Sequence, residues 1–90
     1  MPTVERPVQI QNKQGLHARP AAEMVKAASR FQSDVTITRE DMEVNGKSIM
    51  GVMMLAAECG ATIVLRADGP DAAAAVDALE ALVNGKFGER

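Results

Sequence analysis

The sequence predicts an α+β domain, with elements in the order βαββαβα and one layer of helices against one face of a mainly antiparallel sheet. Three observations predict it. Short stretches of alternating apolar residues are interleaved with stretches of helical apolar spacing. Two of the strand-like stretches lie close enough in sequence to form a hairpin. The first and last helical stretches are apolar on one side only, so each needs a single surface to pack against.

Val4, Val8 and Ile10 share one parity, the pattern of a half-buried strand over Val4–Ile10, and Pro7 assigns that strand to a sheet edge. Residues 12–15 read as a loop. Ala21, Met24, Val25 and Ala28 then fall on one helical stripe, with Glu23, Lys26 and Arg30 opposite and Phe31 closing the stripe. Val35 and Ile37 alternate with Thr36 and Thr38 in a second strand, and the acidic turn Glu40-Asp41 leads to a third around Met42–Val44. Asn45-Gly46 breaks the pattern, Ser48 is suited to cap a helix, and Ile49–Ala57 is expected to be helical, ending near Gly60. The last strand is expected over Thr62–Ala67, with Ile63, Leu65 and Ala67 on one face and Val64 on the other. Gly69-Pro70-Asp71 opens the final helix, where proline suits the first turn and aspartate the positive end of the dipole. Ala72, Val76, Leu79 and Val83 form its buried stripe, and Asn84-Gly85 is its stop.

Ninety residues, 47% of them hydrophobic, suffice for one core but not two, so residues 1–90 are read as a single domain. Ten basic residues against 12 acidic ones create no field favouring an anionic partner. Phe31 and Phe87 are the only aromatic residues, too few to stack single-stranded bases, so no nucleic-acid partner is expected. No apolar stretch reaches membrane-spanning length, and MPTVERPVQI lacks the features of a secretory signal. Cys59, the single cysteine, cannot pair within the chain and fits a reducing, cytoplasmic compartment. It is read as a small buried residue rather than a reactive thiol.

The chemistry concentrates in GLHARPAA, residues 15–22, which holds the only histidine. His17 sits where loop becomes helix, beside the unpaired N–H groups of a first turn, a natural anion site. A neutral imidazole, the form favoured above a pKa of about 6.5, has a free nitrogen lone pair and can attack phosphorus without a neighbouring base. The transferred phosphate would meet the donors of Ala18 and Arg19, the Arg19 guanidinium would add a permanent charge, and Pro20 would set the first turn. The spacing also fits an ordinary exposed cap residue with a solvated neighbour. One histidine and one distant cysteine do not make a metal site, and no catalytic triad can be drawn without a second histidine. No cofactor fingerprint is present.

The second segment is NGKSIMGVMMLAA, residues 45–57, where Ser48 stands at the expected cap. Eight of the nine residues from Ile49 to Ala57 are apolar, so the helix is either buried all round or exposes an apolar side to a partner. Met50, Met53 and Met54 suit adaptable packing, as core or as docking surface. Glu40, Asp41 and Glu43 are read as a solvated turn, since nothing implies the cleft that paired-carboxylate catalysis requires.

Together, GLHARPAA and NGKSIMGVMMLAA, in this order and separation, resemble the HPr family of histidine-containing phosphocarriers of the bacterial phosphoenolpyruvate-dependent phosphotransferase system. The likeness runs over nearly the whole chain. It implies an open-faced β-sandwich, three helices on one side of a four-stranded antiparallel sheet in order 1-4-2-3. It also implies a phosphoryl carrier rather than an enzyme: His17 accepts phosphate on Nδ1 from phosphorylated enzyme I and passes it to an A-type acceptor protein, with Arg19 stabilising the group. By the same resemblance Ser48 is the regulatory serine modified by a kinase in some bacteria, and Ala22, Ile49, Met50 and Met53 belong to the partner-docking surface of a monomer. A phosphate on Ser48 would suit a helix N-terminus yet repel an acidic partner. The sparse aromatics and alanine-rich last helix depart from better-known members and leave the branch open: sugar uptake, nitrogen-related, or a regulatory module that acts mainly by docking.

Overall fold

Residues 2–89 are described by the computed structural model; the expected domain, 1–90, runs one residue beyond that range at each end. The elements are β1 (Thr3–Gln9), α1 (Ala18–Ala28), β2 (Asp34–Arg39), β3 (Met42–Asn45), α2 (Ile49–Met54), β4 (Thr62–Asp68) and α3 (Ala72–Asn84), followed by a 3-10 turn at Lys86–Gly88. The strands form one antiparallel sheet in the order β1-β4-β2-β3. Pro7 accordingly lies on an edge strand, opposite Val64.

Alternation decides which face is covered. Val35 and Ile37 of β2 and Ile63, Leu65 and Ala67 of β4 are buried, whereas Glu5, Pro7, Thr62 and Arg66 point the other way and are exposed. The register aligns these residues across the sheet: Val8 faces Ile63, Ile37 faces Leu65, and Val44 faces Ile37. Onto this face α1 brings Ala21, Met24 and Ala28, α2 brings Val52, and α3 brings Val76, Leu79 and Val83, all buried. Each fully buried aliphatic side chain of this size contributes about 1.5–3 kcal/mol. Val25 and Phe31 are only half-buried at the border of that core. Arg6 occupies the buried parity of β1 between Val4 and Val8, and it spans to α3 to donate to Asp77 and Glu80.

Three local readings change. The α2 helix ends at Met54 instead of continuing to Ala57. The Leu55 and Ala56 N–H groups tighten onto the Val52 and Met53 carbonyls, and Ala56 turns left-handed with φ +48°. Their own carbonyls then accept from the Arg39 Nη1 of β2 at 3.0 and 2.9 Å, while Arg39 Nη2 pairs with Glu58. A side chain from the neighbouring sheet thus satisfies carbonyls that would otherwise ask for more helix.

Asp71 precedes α3, as expected, but its carboxylate does not cap that helix. It accepts instead from Gln32 N and Ser33 N at 2.9 Å, and from the Ser33 hydroxyl, fastening the α1–β2 connection to the α3 entrance. The Ser33 hydroxyl and the Gln32 amide hold the Asp71 carboxyl below its usual range. Cys59 is exposed, not buried: with α2 already ended, it falls on the loop before β4 and lies 3.6 Å from the Gln11 carbonyl.

Candidate functional site at the start of α1

Gly15 makes the turn that presents the histidine. Its φ is +67°, and a Cβ there would stand 2.3 Å from the Ala57 carbonyl oxygen, so the position needs glycine on both counts. Next in the chain, Leu16 is buried and its N–H donates to that same Ala57 carbonyl at 2.9 Å. The histidine segment and the Ser48 segment are therefore joined by a backbone hydrogen bond.

His17 is the N-cap residue of α1, with φ −74° and ψ −173°, and its carbonyl accepts from Ala21 N at 3.0 Å. The first-turn N–H groups that helix geometry leaves without an intrahelical partner belong to Ala18 and Arg19, while Pro20 has none to leave unpaired. Proline at this point removes one orphan donor and preserves two beside the imidazole.

The His17 ring is about one-third exposed, and its Nε2 lies 2.8 Å from Oε2 of Glu89. The same carboxylate oxygen accepts from Arg19 Nε at 3.1 Å, and Arg19 Nη2 also reaches the Phe87 carbonyl at 2.6 Å. Oε1 of Glu89 accepts from the Asn12 amide at 2.9 Å, and that amide donates to the Gly15 carbonyl at 2.7 Å. Asn12 is fully buried, and its Oδ1 is the one buried side-chain polar atom without a partner among the described residues. Asn12, with help from Arg19 and His17, holds the Glu89 carboxyl below its usual range against the opposing effect of burial.

Neither Asn12 nor Glu89 was singled out by sequence reasoning. Glu89 lies beyond the expected stop of the last helix, and it reaches the site because Lys86 and Phe87 both adopt positive φ, +56° and +54°, while Phe87 is buried. An aromatic residue in an otherwise polar tail, GKFGE, was the available signal that the tail folds back.

At the second segment Ser48 caps α2 as expected, its Oγ accepting from Gly51 N at 3.1 Å. The choice left open for the apolar helix resolves into two sides. Val52 and Leu55 are buried, whereas Ile49, Met50, Met53 and Met54 are 45, 76, 43 and 64% exposed. Met54 joins the exposed group through its helical spacing from Met50, and Ala22 of α1 is half-buried.

The family model described as "PTS HPr component phosphorylation site" matches residues 4–85. The chain belongs to the HPr family of phosphocarrier proteins. It is 50% identical to the phosphocarrier protein HPr of Treponema pallidum over 86 residues, covering 96% of this chain and 98% of that one. Identity to HPr of Neisseria meningitidis serogroup A is 51% over 86 residues, 96 and 97% of the two chains. The crystal structure of HPr from Thermoanaerobacter tengcongensis superposes with a TM-score of 0.93 at 45% identity, covering 97 and 98%. Similarity extends to a phosphocarrier protein NPr of Shewanella violacea at 44%, covering 99 and 98%, and to an HPr-like protein Crh of Halalkalibacterium halodurans at 46%, covering 89 and 95%. As an HPr-family phosphocarrier of the phosphotransferase system, the chain has the open-faced sandwich and the 1-4-2-3 sheet expected of it.

Proposed function

We propose that His17 carries the phosphoryl group, accepting it on Nδ1 from phosphorylated enzyme I and passing it to an A-type acceptor protein of the phosphotransferase system. The observation that carries this reading is the placement of the imidazole at the N-cap of α1, beside the Ala18 and Arg19 N–H groups. A phosphate on Nδ1 meets these donors and the positive end of an 11-residue helix. Arg19, half-exposed, turns from the Phe87 carbonyl to the phosphate once the anion arrives. The protein acts as a stoichiometric cytoplasmic carrier, not an enzyme, and positioning with electrostatics does the work.

Docking uses Ala22 and the exposed side of α2, where Ile49, Met50 and Met53 offer an adaptable apolar surface. Phosphorylation of Ser48 by a kinase adds charge beside that surface without removing the cap. The second reading, a module that regulates by docking alone, draws support from this same exposed surface and from the likeness to Crh. Incubation with enzyme I, Mg²⁺ and labelled phosphoenolpyruvate separates the two. Acid-labile, base-stable label on His17 supports the carrier; absence of label leaves the docking module.

A further inference from the structure

We propose that Glu89 is a positioning residue for phosphoryl transfer: it holds the ring proton of His17 on Nε2, so that the Nδ1 lone pair is the nucleophile. The proposal rests on the carrier reading and concerns how its nucleophile is prepared.

An ionised carboxylate can only accept hydrogen bonds. With Glu89 Oε2 at 2.8 Å, His17 Nε2 is therefore the protonated nitrogen of the neutral ring, and Nδ1 makes no hydrogen bond among the described residues. The carboxylate is itself held on every side. Asn12, fully buried and anchored to the Gly15 carbonyl, fixes Oε1, and Arg19 Nε fixes Oε2. The backbone commits to the arrangement as well: two consecutive non-glycine residues, Lys86 and Phe87, take left-handed conformations, and the buried Phe87 side chain keeps the turn in place. Left-handed backbone at such residues is unfavourable, so other contacts must sustain it. The contacts among Glu89, Asn12, Arg19 and His17 are part of what sustains it, beside the buried Phe87 ring and the bond from Arg19 to the Phe87 carbonyl.

The chemistry explains what the carboxylate is for. With phosphoramidate in its N-protonated form (an –NH3⁺ group on phosphorus) as a simple donor, the Nδ1 lone pair attacks phosphorus and the Nδ1–P bond forms. The donor P–N bond breaks, and its electron pair leaves with nitrogen as ammonia. Nε2 keeps its proton throughout, so the ring becomes cationic, with the Glu89 carboxylate as its counter-ion. In the reverse step the Nδ1–P bond breaks and the ring returns to neutral with the same proton in the same place. No proton has to enter or leave, which suits a group that is loaded and unloaded repeatedly.

The test uses full-length wild type, Glu89→Gln and Glu89→Ala, with 15N-labelled histidine. Ring 15N shifts in alkaline buffer report the tautomer, and phosphoramidate labelling followed by 15N and 31P spectra reports which nitrogen carries phosphorus. Wild type is expected to show the Nε2–H form and label on Nδ1 alone. Glu89→Ala should give a mixed tautomer, label on both nitrogens and transfer to Nδ1 slowed about tenfold, the scale of losing one hydrogen bond to a charged group. Glu89→Gln, whose amide oxygen can still accept from Nε2, should keep Nδ1 selectivity but not the rate. Glu89→Ala with wild-type tautomer, selectivity and rate would overturn the proposal. Correct phosphoramidate labelling with no transfer from enzyme I would instead overturn the carrier reading, leaving the tautomer result to decide Glu89.

Discussion

Replacing Gly15 by alanine separates two costs that the structure places at one residue. At φ +67° an alanine loses about 1–2 kcal/mol to left-handed strain alone. Its Cβ would also stand 2.3 Å from Ala57 O and 2.8 Å from Glu58 Cα, backbone atoms that cannot swing aside as a side chain can. Overpacking of that kind adds about 1–3 kcal/mol, for a total of about 2–5 kcal/mol. A 90-residue domain has roughly 5–13 kcal/mol in all, so the melting temperature should fall by at least about 8 °C. Gly60 supplies the control, because its φ is +94° and a Cβ added there would meet nothing within 4 Å, leaving strain without collision. Urea unfolding of both variants, followed by circular dichroism, gives the two losses, and because Gly60 lies further outside the left-handed well, their difference is a lower bound on the collision. A Gly15→Ala loss no larger than the ~1–2 kcal/mol of left-handed strain alone would refute the close approach of the histidine loop to the Ala57 carbonyl.

Three further outcomes follow from the Ser48 cap and the Asp71 connection. Ser48→Ala should cost about 1 kcal/mol in thermal or denaturant unfolding, whereas Ser48→Asp should leave stability nearly unchanged and slow labelling of His17 by enzyme I; a large loss of stability in the aspartate variant would count against the cap argument. Asp71 has a carboxyl held below its usual range, first by the Ser33 hydroxyl, so its stabilising effect is present above the ordinary carboxylate range and is lost as the pH falls through the lower folded-state value. Asp71→Asn should therefore be less stable than wild type at neutral pH, with the gap closing in strong acid, as measured by urea unfolding across a pH series.

The parts of the fold legible in the sequence are those governed by neighbours in the chain. Helical spacing located the buried stripes of α1 and α3, and Pro7 placed β1 at an edge. The end of α2 was not legible, because Ile49–Ala57 is apolar nearly throughout and the stop is enforced by Arg39 from another strand. Asp71 misled for the same reason: local position says helix dipole, while its partners are 38 and 39 residues away. At the site, His17 at a helix start was readable from the loop, proline and apolar spacing. Glu89 was not, since its contact with His17 spans 72 residues and depends on two unfavourable backbone conformations in the tail.

Arg6 has a bearing on how the edge strand keeps its place. An outer strand is a template on which a second copy of the chain can add its own strand, and β1 is such a strand. Sliding β1 by one residue against β4 would turn Glu5 and Pro7 toward the core and pull Arg6 away from Asp77 and Glu80. A slipped sheet would therefore bury a lone carboxylate and strand a guanidinium, while Pro7 separately interrupts the row of donors that an incoming strand would need. The arginine inside the edge thus works against a slipped strand, a role separate from anything the phosphate requires.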